Sequence, residues 1–295
     1  MVAKIIDGKQ VAADMREELK AEVAKLKEQN IVPGLGVILV GEDPASQSYV
    51  KAKERACEEI GIYSDDNRLP VDTTQEDLIA LIDKMNKDTK INGILVQLPL
   101  PKHLDESEVL LKIDPVKDVD GFHPMNVGKM VAGEKAFLPC TPHGIIQLLQ
   151  RSDVKIEGAE VVIVGRSNIV GKPLANMLIQ KSPTGNATVT VCHTRTRNLA
   201  GHTRRADIVV AAAGRPNTIT AGMVKDGVVV IDVGVNRVED ATKKRGYRLV
   251  GDVDFEAVKE KADLITPVPG GVGPMTITML LYNTVESAKI AAGLI

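Results

Sequence analysis

Hydrophobic residues in the first half of the chain follow two different spacings. Over 11–26 they recur at steps of three and four residues, which predicts one amphipathic helix. The continuous apolar run at 34–40 predicts a buried strand, and the segment Asn92-Gly-Ile-Leu-Val-Gln97 predicts another, with a helix between them over about 45–60. Thr74 has the residue type that caps the start of a further helix. This half of the chain therefore predicts an α/β unit.

The second half repeats a strand, a turn and a helix. Apolar runs of strand length lie at 160–165, 187–192, 206–213 and 227–232. Helical patterns lie at 142–150, at 171–181 and from about Pro274 toward the end of the chain. Such a β-turn-α repetition predicts a parallel sheet with right-handed crossovers.

Composition narrows the class of protein. A length of 295 residues favours two domains, and 44% hydrophobic residues with no Trp predict cores built from aliphatic side chains. The net charge of −2 gives no electrostatic reason to expect nucleic acid or a membrane surface as a partner. The first residues reach a charge before any apolar run of signal length, so we expect no export signal and a cytoplasmic protein.

Cysteine and histidine usage does not predict a disulfide or a metal site. Cys57, Cys140 and Cys192 are an odd number without paired spacing, so we expect free thiols in a reducing compartment. The five histidines lack the spacing of a metalloprotease or zinc finger, and we expect no bound metal.

A glycine turn follows the strand at 160–165. Gly165 ends the strand and Gly171 opens the helix, an arrangement that lets a dinucleotide pyrophosphate approach the helix amide groups. The pattern is degenerate, because Ser167 replaces the middle glycine and Gly171 comes one residue late. An ordinary strand-to-helix turn is the alternative, and the surrounding α/β repeat favours the nucleotide.

The end of the next strand indicates which nucleotide is bound. NAD-binding sheets place a carboxylate there to hold the ribose 2′-hydroxyl. Here the strand runs into His193-Thr-Arg195-Thr-Arg197, which has cations and hydroxyls and no carboxylate, and Arg166 adds a cation in the glycine turn. Guanidinium groups chelate a 2′-phosphate, so we predict NADP rather than NAD. The alternative is a solvated basic turn.

Polar residues at four places in the first half and near the end are candidates for chemistry. Tyr49 and Lys53 are four apart on one helix face, although such pairs are usually ordinary helix surface. Gln97 ends a buried strand just before two prolines, where open α/β sheets place ligands. Asp120 can accept hydrogen bonds from an amino-heterocycle, whereas Asp118 suits an Asx turn. The Gly- and Pro-rich loop at 267–276 can lie against a flat ligand, or simply cross between domains.

Five strings in this order carry a family resemblance over essentially the whole chain. They are Tyr49-x-x-x-Lys53, Gln97-Leu-Pro-Leu-Pro101, Lys117-Asp-Val-Asp120-Gly-Phe122, Gly165-Arg-Ser-Asn-Ile-Val-Gly-Lys-Pro173 and Pro267-Val-Pro-Gly-Gly-Val-Gly-Pro-Met-Thr276. Together they resemble the bifunctional methylenetetrahydrofolate dehydrogenase/methenyltetrahydrofolate cyclohydrolase family.

The resemblance implies a fold and an activity. The expected fold is α/β with two domains and a cleft between them: an N-terminal α/β catalytic domain that binds folate (1–139 and 275–295), and a Rossmann-type NADP-binding domain (140–274). The expected reactions are NADP-dependent oxidation of 5,10-methylenetetrahydrofolate and hydrolysis of the methenyl product to 10-formyltetrahydrofolate, in one-carbon metabolism and purine biosynthesis. It also implies a homodimer with no metal, nucleic acid or membrane partner.

The resemblance also assigns roles to residues. Lys53 would be the main catalytic group and would deprotonate or orient the hydrolytic water, with Gln97 bonded to its amine. Asp120 would bind the pterin ring and Tyr49 would position the folate. Further folate contacts are implied at Gly270, Gly271, Val272 and Pro274. Cofactor contacts are implied at Thr141, Gly165, Arg166, Ser167, Ile169, His193, Thr194, Arg195 and Val235.

Two other classes of protein remain as alternatives. A short-chain dehydrogenase also uses Tyr-x-x-x-Lys, but it places that pair after its glycine turn, whereas Tyr49 precedes Gly165 here. A non-catalytic NADP-binding module would leave the polar set around Lys53 without a reason.

Overall fold

The chain folds into two compact units. A computed structural model describes residues 2–243 and 246–295, except for the side chain of Ala45. We name the units after the parallel sheets that their described residues form. The three-stranded unit contains Ala13–Cys140 and Ile277–Ile295, and the six-stranded unit contains the residues through Ala12 and Thr141–Thr276.

The three-stranded unit has parallel strands in the order β3-β2-β4. Its strands are β2 (Gly34–Val40), β3 (Tyr63–Leu69) and β4 (Gly93–Val96), and every residue of β2 and β4 is buried. Its helices are α1 (Gly8–Glu28, from Ala13 onward), α2 (Pro44–Ile60), α3 (Gln75–Lys87), α4 (Glu106–Lys112), α5 (Pro124–Ala132) and α10 (Val272–Ala291, from Ile277 onward).

Local sequence explains where these elements begin. The Thr74 hydroxyl accepts the amide of Asp77 and caps α3, as the sequence predicts. Asp43 caps α2 in the same way and Pro44 occupies its first turn. Leu78, Ile82 and other aliphatic side chains of α3 and α4 pack on one face of the sheet, so the core is aliphatic as predicted from composition.

The six-stranded unit has parallel strands in the order β1-β11-β8-β7-β5-β6. They are β1 (Lys4–Ile5), β5 (Glu160–Val164), β6 (Thr188–Cys192), β7 (Ile208–Ala211), β8 (Val229–Asp232) and β11 (Leu264–Ile265). Its helices are α6 (Cys140–Arg151, from Thr141 onward), α7 (Gly171–Ile179), α8 (Leu199–Thr203) and α9 (Phe255–Lys259), with a 3-10 turn at Ala221–Met223.

The parallel sheet predicted for the second half is confirmed, and β5 to β8 lie at the four predicted strand positions. The two outer strands, β1 and β11, have two residues each and are too short to give a periodic signal. Because β1 pairs with β11, the start of the chain belongs to this unit. An antiparallel hairpin of β9 (Asn236–Glu239) and β10 (Tyr247–Val250) was also not predicted.

The order of the strands indicates which edge of the six-stranded sheet would bind a ligand. From β5 the chain goes to β6 on one side and then returns to β7 on the other, so the direction of winding reverses between β5 and β7. Open parallel sheets bind ligands outside the carboxyl ends of the strands at such a reversal. In the described part of the chain, no helix is both long and apolar enough to cross a membrane.

Candidate active site

The amine of Lys53 is buried inside the three-stranded unit. Lys53 lies in the middle of α2, on the same face as the fully buried Val50 and Cys57, and only 8% of it is exposed. Its Nζ donates a hydrogen bond to Gln97 Oε1 at 3.1 Å. Tyr49 is one turn earlier on α2 and is 45% exposed, so it lies toward solvent at the edge of this group. The structure therefore brings Lys53 and Gln97 together.

The amide of Gln97 has a fixed orientation. Gln97 follows β4, and its backbone N–H continues the sheet by donating to Ile38 O at 2.9 Å. Its side-chain Nε2 donates to Leu98 O at 2.7 Å, which turns Oε1 toward the lysine. The Lys53 amine is therefore bonded to the oxygen of an amide, a group that stays neutral at any pH of interest.

Burial and charge oppose each other at the lysine. Burial lowers the pKa of Lys53 from its ordinary value of 10.5, and the charge of the nearby Asp120 raises it in part. Burial likewise raises the pKa of the Asp120 carboxyl, while Lys53 and Cys140 lower it. The arrangement suits an amine that loses its proton more readily than a surface lysine and a carboxyl electrostatically coupled to it.

Asp118 has a structural role, although its bonds reach residues four and five positions on and not the second residue on, as an Asx turn requires. Its carboxylate accepts the backbone N–H of Phe122 at 3.1 Å and of His123 at 2.8 Å, and it accepts Asn126 Nδ2 at 2.8 Å. These bonds fold the segment that follows Asp120 into a turn. Burial raises the pKa of Asp118 to about 6.

Sequence reasoning missed two residues beside this group. Cys140, which composition assigns only as a free thiol, is 2% exposed and donates from Sγ to Val119 O at 3.3 Å. Asn283 on α10 is also 2% exposed and donates to the same carbonyl at 2.8 Å. The available signal was an amide inside the apolar stretch of the last helix, because a buried amide needs defined partners.

The glycine turn of the six-stranded unit needs its glycines. Gly165 follows β5 with φ +145°, and a Cβ there would lie 2.1 Å from Ala212 O, just after β7. A Cβ on Gly171 would lie 2.2 Å from Gly165 O. Both glycines therefore allow close backbone approach at the point where the winding reverses.

Ser167, which stands where the fingerprint has its middle glycine, binds the backbone before α7. Its hydroxyl accepts the N–H of Val170 at 3.1 Å and of Gly171 at 3.4 Å. Arg166 and Ile169 are exposed on the same turn. The turn thus presents a cation and a helix N-terminus at the ligand edge.

The segment after β6 also lies at this edge. His193 Nδ1 accepts the N–H of Arg195 at 3.1 Å, while Thr194 and Arg195 are exposed. Within the described residues, neither Arg166 nor Arg195 is found in an ion pair with a carboxylate. The guanidinium groups of Arg166 and Arg195 and the hydroxyl of Thr194 are of the kind that donates hydrogen bonds to a phosphate monoester.

Buried carboxylates fix the neighbouring loops. Asp252 accepts the N–H of Ala213 at 2.6 Å and of Gly214 at 2.8 Å, directly after β7. Asp232 at the end of β8 accepts the N–H of Gly234 at 3.1 Å, next to the exposed Val235. Burial raises the pKa of Asp232 to about 6. Neither of these two carboxylates was predicted from the sequence to belong to the site.

The Gly- and Pro-rich segment follows β11 at the same edge. Gly270 has φ +109°, and α10 starts at Val272. Pro274 stands in the first turn of this helix, as predicted, and the helix begins two residues earlier than predicted, so Val272 belongs to it instead of to a loop. A Cβ on Gly271 would meet Pro267 O at 2.7 Å. Thr141 Oγ1 and Thr276 Oγ1 share a hydrogen bond of 2.9 Å.

Comparisons with known proteins cover both units. Residues 6–120 match the family model described as tetrahydrofolate dehydrogenase/cyclohydrolase, catalytic domain. Residues 139–292 match the model described as tetrahydrofolate dehydrogenase/cyclohydrolase, NAD(P)-binding domain.

Relatives match along their whole length. The bifunctional protein FolD of Syntrophus aciditrophicus is 60% identical over 294 residues, covering 100% of each chain. The crystal structure of the Campylobacter jejuni bifunctional FolD methylenetetrahydrofolate dehydrogenase/cyclohydrolase is 51% identical with a TM-score of 0.92, covering 98% of this chain and 99% of that one. The Trypanosoma brucei enzyme, solved with NADP cofactor and an inhibitor, is 41% identical with a TM-score of 0.94 and 99% coverage of both chains.

Proposed function

This chain belongs to the tetrahydrofolate dehydrogenase/cyclohydrolase family, and from that premise we propose how its residues carry out the two activities. The predicted family and α/β fold class are confirmed. The protein is a bifunctional enzyme that oxidises 5,10-methylenetetrahydrofolate with NADP⁺ and hydrolyses 5,10-methenyltetrahydrofolate to 10-formyltetrahydrofolate. The observation that supports our assignment of roles is the buried Lys53 amine held by Gln97 and coupled to Asp120.

The six-stranded unit has residues that fit NADP. The glycine turn at Gly165 and Gly171 leaves the backbone open, and Arg166, Thr194 and Arg195 offer donors for the 2′-phosphate. Bound NADP⁺ supplies the hydride acceptor for the oxidation. Thr141, Ser167, Ile169, His193 and Val235 remain our proposed further cofactor contacts, on the strength of the family resemblance.

For the hydrolytic step we assign Lys53 as the group that orients the water and takes its proton. The burial that lowers the pKa of Lys53 increases the fraction of neutral amine, which can accept a hydrogen bond from water. A bound methenyl cation repels a second positive charge and lowers the pKa of Lys53 further. Water oxygen then attacks the methenyl carbon as one water proton passes to Nζ. The bond from that carbon to N5 breaks as the hydroxyl loses its proton and becomes the formyl C=O, and N5 takes up a proton, so the net reaction releases one proton.

The other assigned residues bind the substrate. Asp120 accepts hydrogen bonds from the pterin amino group, Gln97 holds the lysine amine, and Tyr49 contacts the folate from the exposed end of the group. Gly270, Gly271, Val272 and Pro274 are proposed folate contacts because bare backbone suits a flat ring. These roles rest on the resemblance together with the geometry of each unit.

We propose a homodimer formed through the six-stranded unit. Among the described strands, β6 lies at the edge of the sheet, so one side of its backbone has no neighbouring strand. Val191 on β6 is 37% exposed, and Ile179 at the end of the preceding helix α7 is 56% exposed. An edge strand with apolar neighbours favours pairing with a second copy. Sedimentation of the purified protein tests the dimer.

We also propose a cytoplasmic location, where folates and NADP are available.

The test of the lysine assignment is Lys53→Met in the full-length protein. We expect hydrolysis of supplied methenyltetrahydrofolate to fall by about 100-fold or more, because general acid-base groups contribute about that factor. NADP⁺ binding, measured by titration, should not change. Lys53→Arg should not restore hydrolysis, because guanidinium stays protonated.

The matched control is Lys51→Met, which removes an exposed lysine from the same helix. It should leave both activities at the parental level. Parental hydrolysis by the Lys53→Met variant would show that another group handles the water, and the assignment of Lys53 would be wrong.

A further inference from the structure

We propose that Asn283 is a positioning residue that holds the backbone around Asp120 and so fixes that carboxyl relative to Lys53. The inference rests on the role proposed above for Asp120. Asn283 lies in α10, within the part of that helix that belongs to the three-stranded unit, and is 2% exposed.

The side-chain amide of Asn283 joins two separate segments. Its Nδ2 donates to Val119 O at 2.8 Å and to Leu138 O at 3.0 Å. An amide nitrogen has two protons, so both are used on these carbonyls. Val119 is the residue directly before Asp120, and Leu138 lies two residues before Cys140, whose Sγ is 3.8 Å from the same Nδ2.

The two joined segments touch at Gly121, directly after Asp120. Gly121 has φ +73°, and a Cβ on it would lie 2.7 Å from the carbonyl carbon of Leu138 and 2.8 Å from Phe137 O. The turn that carries Asp120 is therefore in backbone contact with 137–139. Asn283, on α10, stabilises this contact by donating to one carbonyl of each segment. Cys140 Sγ also donates to Val119 O, at 3.3 Å.

The far side of the turn is held independently. The carboxylate of Asp118 binds the N–H groups of Phe122 and His123. Asp120 thus lies between an anchor formed by Asp118 and an anchor formed by Asn283. Removing the Asn283 amide leaves Leu138 O without this donor and Val119 O with only the weaker Cys140 thiol. Because only one of the two anchors is freed, the turn is expected to shift without unfolding.

A shift of Asp120 has an electrostatic consequence at Lys53. The ionisable groups that act on the amine are Asp120, Cys140 and Cys57, and Gln97 is neutral. Burial raises the pKa of Cys57 to about 12 and that of Cys140 well above its ordinary value, so both thiols stay uncharged in an assay near neutral pH. Asp118 acts on the Asp120 carboxyl. Moving Asp120 away therefore lowers the pKa of Lys53, in the same direction as neutralising it.

The experiment compares Asn283→Ala, Asp120→Asn and the double variant in the full chain. We measure KM for methenyltetrahydrofolate and the pH profile of its hydrolysis. Asn283→Ala should raise KM by about tenfold, the value of one net hydrogen bond, and should move the rising limb of the profile to lower pH. The double variant should be no worse than Asp120→Asn alone, because residues that act through one another are not additive.

Ser287→Ala is the matched control on the same helix. Ser287 is 3% exposed, and its Oγ contacts Asn92 O at 2.7 Å and Val116 O at 2.8 Å, which do not flank Asp120. It should lower the melting temperature to a similar extent as Asn283→Ala and leave KM and the pH profile unchanged. If Asn283→Ala does not fold, Asn283→Ser keeps one donor and should show smaller changes of the same sign.

Three results would overturn the inference. An Asn283 variant with the KM and pH profile of Ser287→Ala would show a role in stability alone. Additive effects of Asn283→Ala and Asp120→Asn would show that Asn283 does not act through Asp120. If Asp120→Asn by itself changed neither quantity, the role proposed for Asp120 would be wrong, and that failure is visible without any Asn283 variant.

Discussion

Replacing Gly165 with alanine should separate the two activities of this enzyme. The new Cβ would lie 2.1 Å from Ala212 O, and real Cβ atoms need about 3 Å, so the β5 turn and the segment after β7 must separate by about 1 Å. The φ of +145° adds backbone strain of about 1–3 kcal/mol for a residue with a Cβ. Both changes occur where the winding of the sheet reverses.

The displacement acts on the cofactor. An error of about 1 Å in the placement of a reacting group costs about 100-fold in rate, so we expect NADP⁺-dependent oxidation to fall by about that factor. Hydrolysis of supplied methenyltetrahydrofolate consumes no cofactor and should stay within about twofold of the parent, because Lys53, Gln97 and Asp120 belong to the other unit. NADPH absorbance and loss of methenyl absorbance follow the two reactions separately.

Two further variants complete this test. Gly171→Ala should act in the same direction, because its Cβ would lie 2.2 Å from Gly165 O. Gly222→Ala is the control, since its Cβ meets nothing within 4 Å and its φ is not positive. If Gly165→Ala folded, as shown by circular dichroism, and oxidised its substrate at the parental rate, close backbone approach at this turn would not support cofactor placement. Equal loss of both activities would point to general misfolding.

Two more predictions concern the six-stranded unit. Arg195→Ala should raise KM for NADP⁺ by about tenfold or more, because one charge-assisted contact to the 2′-phosphate is lost, and should leave the weaker use of NAD⁺ unchanged; an equal rise for both cofactors would contradict a 2′-phosphate contact. The second prediction concerns pH, because burial raises the pKa of Asp232 from 3.8 to about 6. Between these pH values the folded state still binds a proton that the unfolded state has released. Through this group, the free energy of unfolding therefore falls as pH rises. Chemical denaturation of Asp232→Asn from pH 4 to 6 should show a shallower fall with pH than the parent, and an unchanged slope would assign the pH dependence to other groups.

The elements whose hydrophobic residues recur with a clear spacing, or form a continuous run, were predictable from the sequence. The buried runs at 34–40 and 160–164 and the capped helix after Thr74 contain their own signals, because burial on both faces and N-capping act over a few residues. Elements without such a period were missed, including β1, β11 and the β9-β10 hairpin. A strand of two residues is defined by its partner and not by its own sequence.

The candidate site divides in the same way. The motif strings and their order determined the family and the choice of Lys53, Gln97 and Asp120 as candidates, because these depend on residue types at fixed positions. The cations that follow the second strand of the glycine-turn unit, with no carboxylate among them, predicted NADP. The contacts of Asn283, Cys140 and Asp252 depended on tertiary structure, because each bonds to backbone that lies 21 to 164 residues away along the chain. Main-chain carbonyls and amides are the same at every residue, so no sequence pattern marks which of them a buried side chain will meet, and only the folded chain decides it.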